Sequence, residues 1–356
     1  MRSLNFDAVL PPGAKIEFTA ADFDRMEKLS DAFLEKTDDL MQKAIDDAVA
    51  VIGRSLRSAW PDEARRQALA SQNFEADLQT RWEQPLGELA HLLTIAREFD
   101  GGINQRKRAA IAEADNPYTV EALTRLHARA CQICDEILRL ARGGFPDGAM
   151  ARWRALDEVA VTALFIQQFG EDTAERYVHH QTIESSRAMA DYARCHERLG
   201  YEPPTHEEVK SVELAVKALT DRFGESYRRN YGWAAKALKS KDPSFKDVEA
   251  AVDLDHLRAH YRLASHAVHA NPKGVYFQFG QAPLNEELCC GPSMFGLADP
   301  LHCAAISLMQ ISAAVGLLDL TLDHIVVLRI MQAVVDEIGA AAIAANDAQK
   351  EAISNR

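Results

Sequence analysis

Glycine and proline are scarce in this chain of 356 residues, 18 and 13 in all, and long stretches carry neither. Extended segments are scarcer still. The pattern suggests one, "GVYFQFG" at 274–280, which is too little for a sheet. Basic residues are outnumbered, 40 Lys and Arg against 53 Asp and Glu, giving a formal charge of −13. That argues against a generic nucleic-acid coat, which would be basic, while leaving room for a local basic pocket. The opening "MRSLNFDAVLPPGAKIEF" has no continuous apolar run of the signal-peptide kind. The most apolar later stretch, "CAAISLMQISAAVGLL" from Cys303 to Leu318, is shorter than a bilayer span. It contains Ser307, Gln310 and Ser312 and runs into Asp319. It reads as a buried helix, so the expectation is a soluble, cytoplasmic protein with no membrane partner. There is no convincing internal repeat and no low-complexity tract.

Cysteine is also sparse, six residues in all. Cys131 and Cys134 fall one turn apart inside the helical pattern "ALTRLHARACQICDEILRLA", the placement of core packing. Cys289, Cys290, His302 and Cys303 could in principle gather a zinc ion, but their spacing matches no zinc module. The expectation is therefore no metal and no cofactor.

What is present is apolar residue in helical rhythm. Hydrophobic residues make up 47% of the chain and charged ones 26%, enough for a substantial core and a poor composition for wholesale disorder. Thr19 is a plausible N-cap for a pattern in which Phe23, Met26, Leu29, Phe33, Leu40, Ile45, Val49 and Ile52 recur at three- and four-residue steps, with Pro61 punctuating it. A second pattern runs from about Asp62 to Phe99, where Pro85 could break it, and "DGGINQRKRAA" from Asp100 is the best candidate for a boundary. From Asn116 a compact helical domain follows. Helices over about 119–142 and 149–169 are joined by the "GGFPDGA" turn as an antiparallel hairpin. A third helix is closed by Gly200, a long one reaches about Leu238, and Ser244 caps a short one. The expected fold is all-α: an N-terminal helical region over 1–110 and a multi-helix bundle over 111–356.

The stretch "DLDHLRAHYRLASHAVHANP" carries the densest chemistry. On a helical wheel Leu257, Tyr261, Ala264 and Val268 share a core-facing arc. Arg258, Arg262, Ser265, His266 and His269 share a second arc, and Asn271-Pro272 ends the helix. Histidine moves protons near neutral pH, and an arginine one or two turns away can hold a phosphate. Together they are a minimum kit for metal-free RNA cleavage. The ordinary reading of such an arc is a solvated helix face. The helix at 149–169 is apolar nearly all round, yet it carries Arg152, Arg154, Asp157 and Glu158. Charges on a buried helix need partners, and the 258–269 arc is a natural source of them. A structural ion network and a functional role are equally open for these four residues.

The linked motifs "GGFPDGAMARWRALDEVAV", "AERYVHH" and "YRLASHAVHANP" resemble the DUF5677 family of bacterial helical proteins over roughly Thr119 to Leu320. The N-terminal 110 residues lie outside that resemblance. More loosely, Arg262 and His269, with six residues between them, resemble the arginine–histidine motif of HEPN domains. These are helical, often dimeric bundles, and many are metal-independent RNases of toxin–antitoxin, CRISPR and phage-defence systems. Active members commonly place a polar residue after the arginine, where this chain has Leu263. The resemblance implies an endoribonuclease, a toxin or anti-phage effector, acting on RNA as a homodimer. His269 would be acid/base and Arg262 the phosphate clamp. His266, Ser265 and Asn271 would assist, and Arg258, Arg152, Arg154, Asp157 and Glu158 would position substrate or orient the arc. The competing expectation is a non-catalytic helical adaptor, sensor or oligomerisation module that binds a protein partner.

Overall fold

The computed structural model describes residues 31–108, 116–282 and 288–354. The Thr19 cap lies outside them, as do residues 109–115 next to the expected boundary. Contacts divide the chain into two units, 1–72 and 73–356. The described part of the first unit is residues 31–72 of a single helix, α1 (Asp31–Arg81). Pro61 sits inside α1 rather than ending it. A proline removes one backbone bond and crowds one carbonyl, which a helix of 51 residues survives as a local defect.

The second unit is all-α, with no strand among the described residues. Its helices are α2 (Glu83–Arg108), α3 (Pro117–Arg142), α4 (Pro146–Phe169), α5 (Glu171–Leu199), α6 (His206–Phe223), α7 (Phe245–Ala250), α8 (Arg258–Val268), α9 (Pro272–Tyr276), α10 (Ala298–Gly316) and α11 (Leu322–Ser354). The expected extended segment at 274–280 instead begins in α9. Asn271 caps that short helix by accepting the Gly274 N–H at 2.9 Å, and Pro272 presets its first turn. The Gly101–Gly102 pair lies within α2. The helix expected to reach Leu238 stops at Phe223, because Gly224 takes a φ of +89° and the chain continues in short 3-10 turns.

At the centre lies α10, packed on α2, α3, α4 and α11. It is the one helix among the described residues long and apolar enough to cross a membrane, yet most of it is taken into the core. Its polar residues serve that core. Ser307 Oγ accepts the Trp153 indole N–H at 3.1 Å, and Ser312 Oγ lies 3.0 Å from His127 Nε2. Both rings are fully buried, so each hydroxyl gives a buried ring nitrogen a polar partner. Cys131 and Cys134 are buried in the same core, as their spacing suggests. The α3–α4 hairpin turns at Gly144, whose φ is +76°. A Cβ there would lie 2.6 Å from the Phe74 ring. Only glycine meets both conditions. This turn delivers Pro146, Asp147 and the start of α4 to the region where α8 ends.

Candidate functional site

The polar arc does not act as a unit; it divides. A 3-10 turn (Asp255–Leu257) leads into α8, which stops at Val268, and His269 is its extended C-cap. Leu257, Tyr261 and Ala264 face the core as expected. Val268, expected with them, is about half exposed, at the last residue of α8. Arg258 leaves the arc for an ion pair with the fully buried Glu249 of α7, and its guanidinium stands 5.2 Å from the centre of the Tyr261 ring. Ser265 Oγ donates back to the Tyr261 carbonyl at 2.8 Å, so its hydroxyl proton is committed within α8. Arg262 and His269 are exposed.

His266 and His269 line an open cavity of about 530 Å³, together with Asp147, Gln278, Cys289 and Cys290. Its walls are tied together. Asp147, in the first turn of α4, accepts the N–H groups of Phe279 (2.9 Å) and Gly280 (3.1 Å). Ser293 donates its hydroxyl to the Gly280 carbonyl (2.6 Å) and its N–H to the Gly144 carbonyl (2.8 Å). Gly274 passes so close to the end of α8 that a Cβ would sit 2.1 Å from the His266 carbonyl. The Asn271 side chain fixes His266. Its Oδ1 accepts from Gly274, and its Nδ2 lies 3.0 Å from His266 Nδ1. Asn271 Oδ1 lies 3.1 Å from the same ring nitrogen, so the contact serves either tautomer of His266. Arg262 does not line the cavity; it stands one helical turn before His266, on the same stripe.

A separate ionic cluster lies between α4, α7 and α8. The Tyr261 hydroxyl donates to Glu158 Oε1 at 2.5 Å, and Arg154 Nη2 lies 3.3 Å from the same oxygen. Asp157 is fully buried, and neither of its oxygens has a hydrogen-bond partner among the described residues. Burial is the main cause that pushes its pKa up to about 7. The Glu249 and Glu158 charges add to that, and Arg258 opposes it. Burial also raises the Glu249 carboxyl against the pull of Arg258, and burial with the Glu158 hydrogen bond raises the Tyr261 phenol. For the charged half of α4, α8 supplies one direct partner, Tyr261 to Glu158, while Arg258 acts on Asp157 only through its charge. Arg152 turns the other way, to Glu136 of α3.

Residues 120–285 match the model of DUF5677, a family of unknown function. That stretch, less than half of the chain, is similar to the family. It holds the whole ionic cluster, α8, Asp147 and His269, while α1, α2, α10 and α11 lie outside it. No curated protein and no solved structure matches the chain. The sequence pattern alone does not assign these roles to Asp147, Glu249 and Tyr261. For Glu249 a signal exists: it falls on the buried face of α7 with Phe245 and Val248. A carboxylate on an apolar face demands a cation. Asp147 gives no such signal, because its partners are backbone groups 132 and 133 residues away.

Proposed function

We propose that the DUF5677-like region carries a HEPN-like, metal-independent endoribonuclease centre of a toxin or anti-phage effector. The carrying observation is that His266 and His269 face an open cavity and take no part in the ionic cluster beside them. In this reading the RNA 2′-OH attacks its own 3′-phosphate, forming a new P–O bond as the bond to the 5′-oxygen breaks. His269 moves the proton, and Arg262 stabilises charge on the phosphoryl oxygens. His266, held by Asn271, supplies a second imidazole. Arg154, Glu158 and Tyr261 position α8 rather than touch RNA. Incubation of the full chain with mixed RNA in EDTA is the test. Fragmentation that persists with excess chelator is expected, and intact RNA contradicts the proposal.

A second reading, a non-catalytic helical module, draws on a different observation. The long α1 exposes apolar residues that an adaptor could bury against a partner.

A further inference from the structure

The described part of the first unit carries a surface that the RNase reading leaves unused. Met41, Ile45, Val49, Ile52, Leu56 and Trp60 of α1 are all exposed, from 36% for Ile52 to 67% for Leu56. At 100° per residue they occupy one arc about 100° wide, the width of a helix-pairing stripe. Glu63 ends the stripe on its C-terminal side, and from Met41 to Trp60 it is about 20 residues, or ~30 Å, long. Large apolar patches of this kind mark interaction sites.

The order of the residues points to the occupant. Their spacing reads the same from either end. A second copy laid antiparallel therefore sets Met41 against Trp60, Ile45 against Leu56 and Val49 against Ile52, and does so twice about one two-fold axis. That is the self-complementarity an isologous interface requires. The largest side chain meets the most adaptable one instead of its own copy. Asp46 and Arg57 stand together on one flank of the stripe. In antiparallel pairing the same flanks face each other, so Asp46 of each chain meets Arg57 of the other, and the helix dipoles oppose. A parallel pair gains neither and stacks Trp60 on Trp60. Glu63, which ends the stripe, is already paired with Arg66 within its own helix.

We infer that residues 41–60 of α1 form an antiparallel homodimer seam with a second copy of this chain. The seam holds whether or not the chain cuts RNA. Light scattering on the full chain at micromolar concentration should give the dimer mass. The double variant Ile45→Asn, Ile52→Asn should weaken association at least about a hundredfold with unchanged helical circular dichroism, because both positions are exposed in the single chain. Mixing Ile45→Cys with Leu56→Cys under mild oxidation should give a disulfide mapped by mass spectrometry between positions 45 and 56. A monomer mass for the native chain, a dimer mass for the Asn variant, or links that join only identical positions would each overturn the inference.

Discussion

His269→Ala should lower RNA cleavage by about 10²–10⁴-fold, the range a positioned proton-transfer group supplies. The loss should come without a loss of fold. His269 is exposed, lies beyond the last turn of α8 and has no side-chain hydrogen bond among the described residues, so nothing in the core depends on it. Arg262→Ala should act similarly and for the same reason, at about 10²–10³-fold if it stabilises charge on the phosphate. The comparison that gives these numbers meaning is Tyr261→Phe. It removes the hydrogen bond to Glu158 and should cost stability and only indirectly activity. The measurement is initial cleavage rate with circular dichroism on the same samples. Equal rates for the native chain and both exposed-site variants would remove the catalytic roles of Arg262 and His269.

The second large effect belongs to Asp157. Its pKa rises from 3.8 to about 7 on folding, chiefly through burial. The folded state therefore holds this proton more tightly than the unfolded chain does. Its contribution to stability is fully present below pH 3.8, declines as the pH rises through the interval to about 7, and is flat above it. At about 1.4 kcal/mol per pH unit the interval is worth up to about 4 kcal/mol. Asp157→Asn has the shape of the protonated acid and does not titrate. The stability difference, variant minus native chain, should therefore grow in favour of the variant by up to about 4 kcal/mol between pH 4 and pH 8. Glu249, Glu158, Arg258 and Cys303 remain in both proteins and cancel to first order. Urea unfolding of both proteins across that range provides the check. Parallel pH curves would show that Asp157 is ionised in the fold and compensated by Arg258.

The sequence makes most helices legible because their information is local. Apolar spacing marks α3, α4 and α10, and Gly143-Gly144 marks the hairpin between the first two. The polar residues within the α10 stretch foretell its burial, and Trp153 and His127 use two of them. The partners of polar side chains are not local, and there the pattern runs out. A wheel puts Arg258 with Arg262 and His266, but it cannot show that Glu249 waits on α7 to draw Arg258 away. Nor can it show that Tyr261, counted as core, carries its hydroxyl to Glu158. Helix ends fail similarly. Pro61 does not stop α1, whereas Gly224 stops α6 well before the apolar rhythm fades.

The division of α8 gives the site its logic. One side is locked to α4 and α7 through Tyr261 and Arg258, which fixes where the helix end stands. The other presents two imidazoles to a cavity whose walls are held by Asp147 and Ser293. On the proposed reading, that rigid support would set the reach of the two imidazoles.

The most direct measurement is the chemistry of the ends left after cleavage. Attack by the 2′-OH with histidine-mediated proton transfer must leave a 2′,3′-cyclic phosphate on one fragment and a free 5′-hydroxyl on the other. Those ends are expected in EDTA from the native chain, read by mass spectrometry of the fragments, and their loss is expected in His269→Ala. Fragments ending in a 3′-hydroxyl with a 5′-phosphate would mean that water or hydroxide made the attack, and would contradict it.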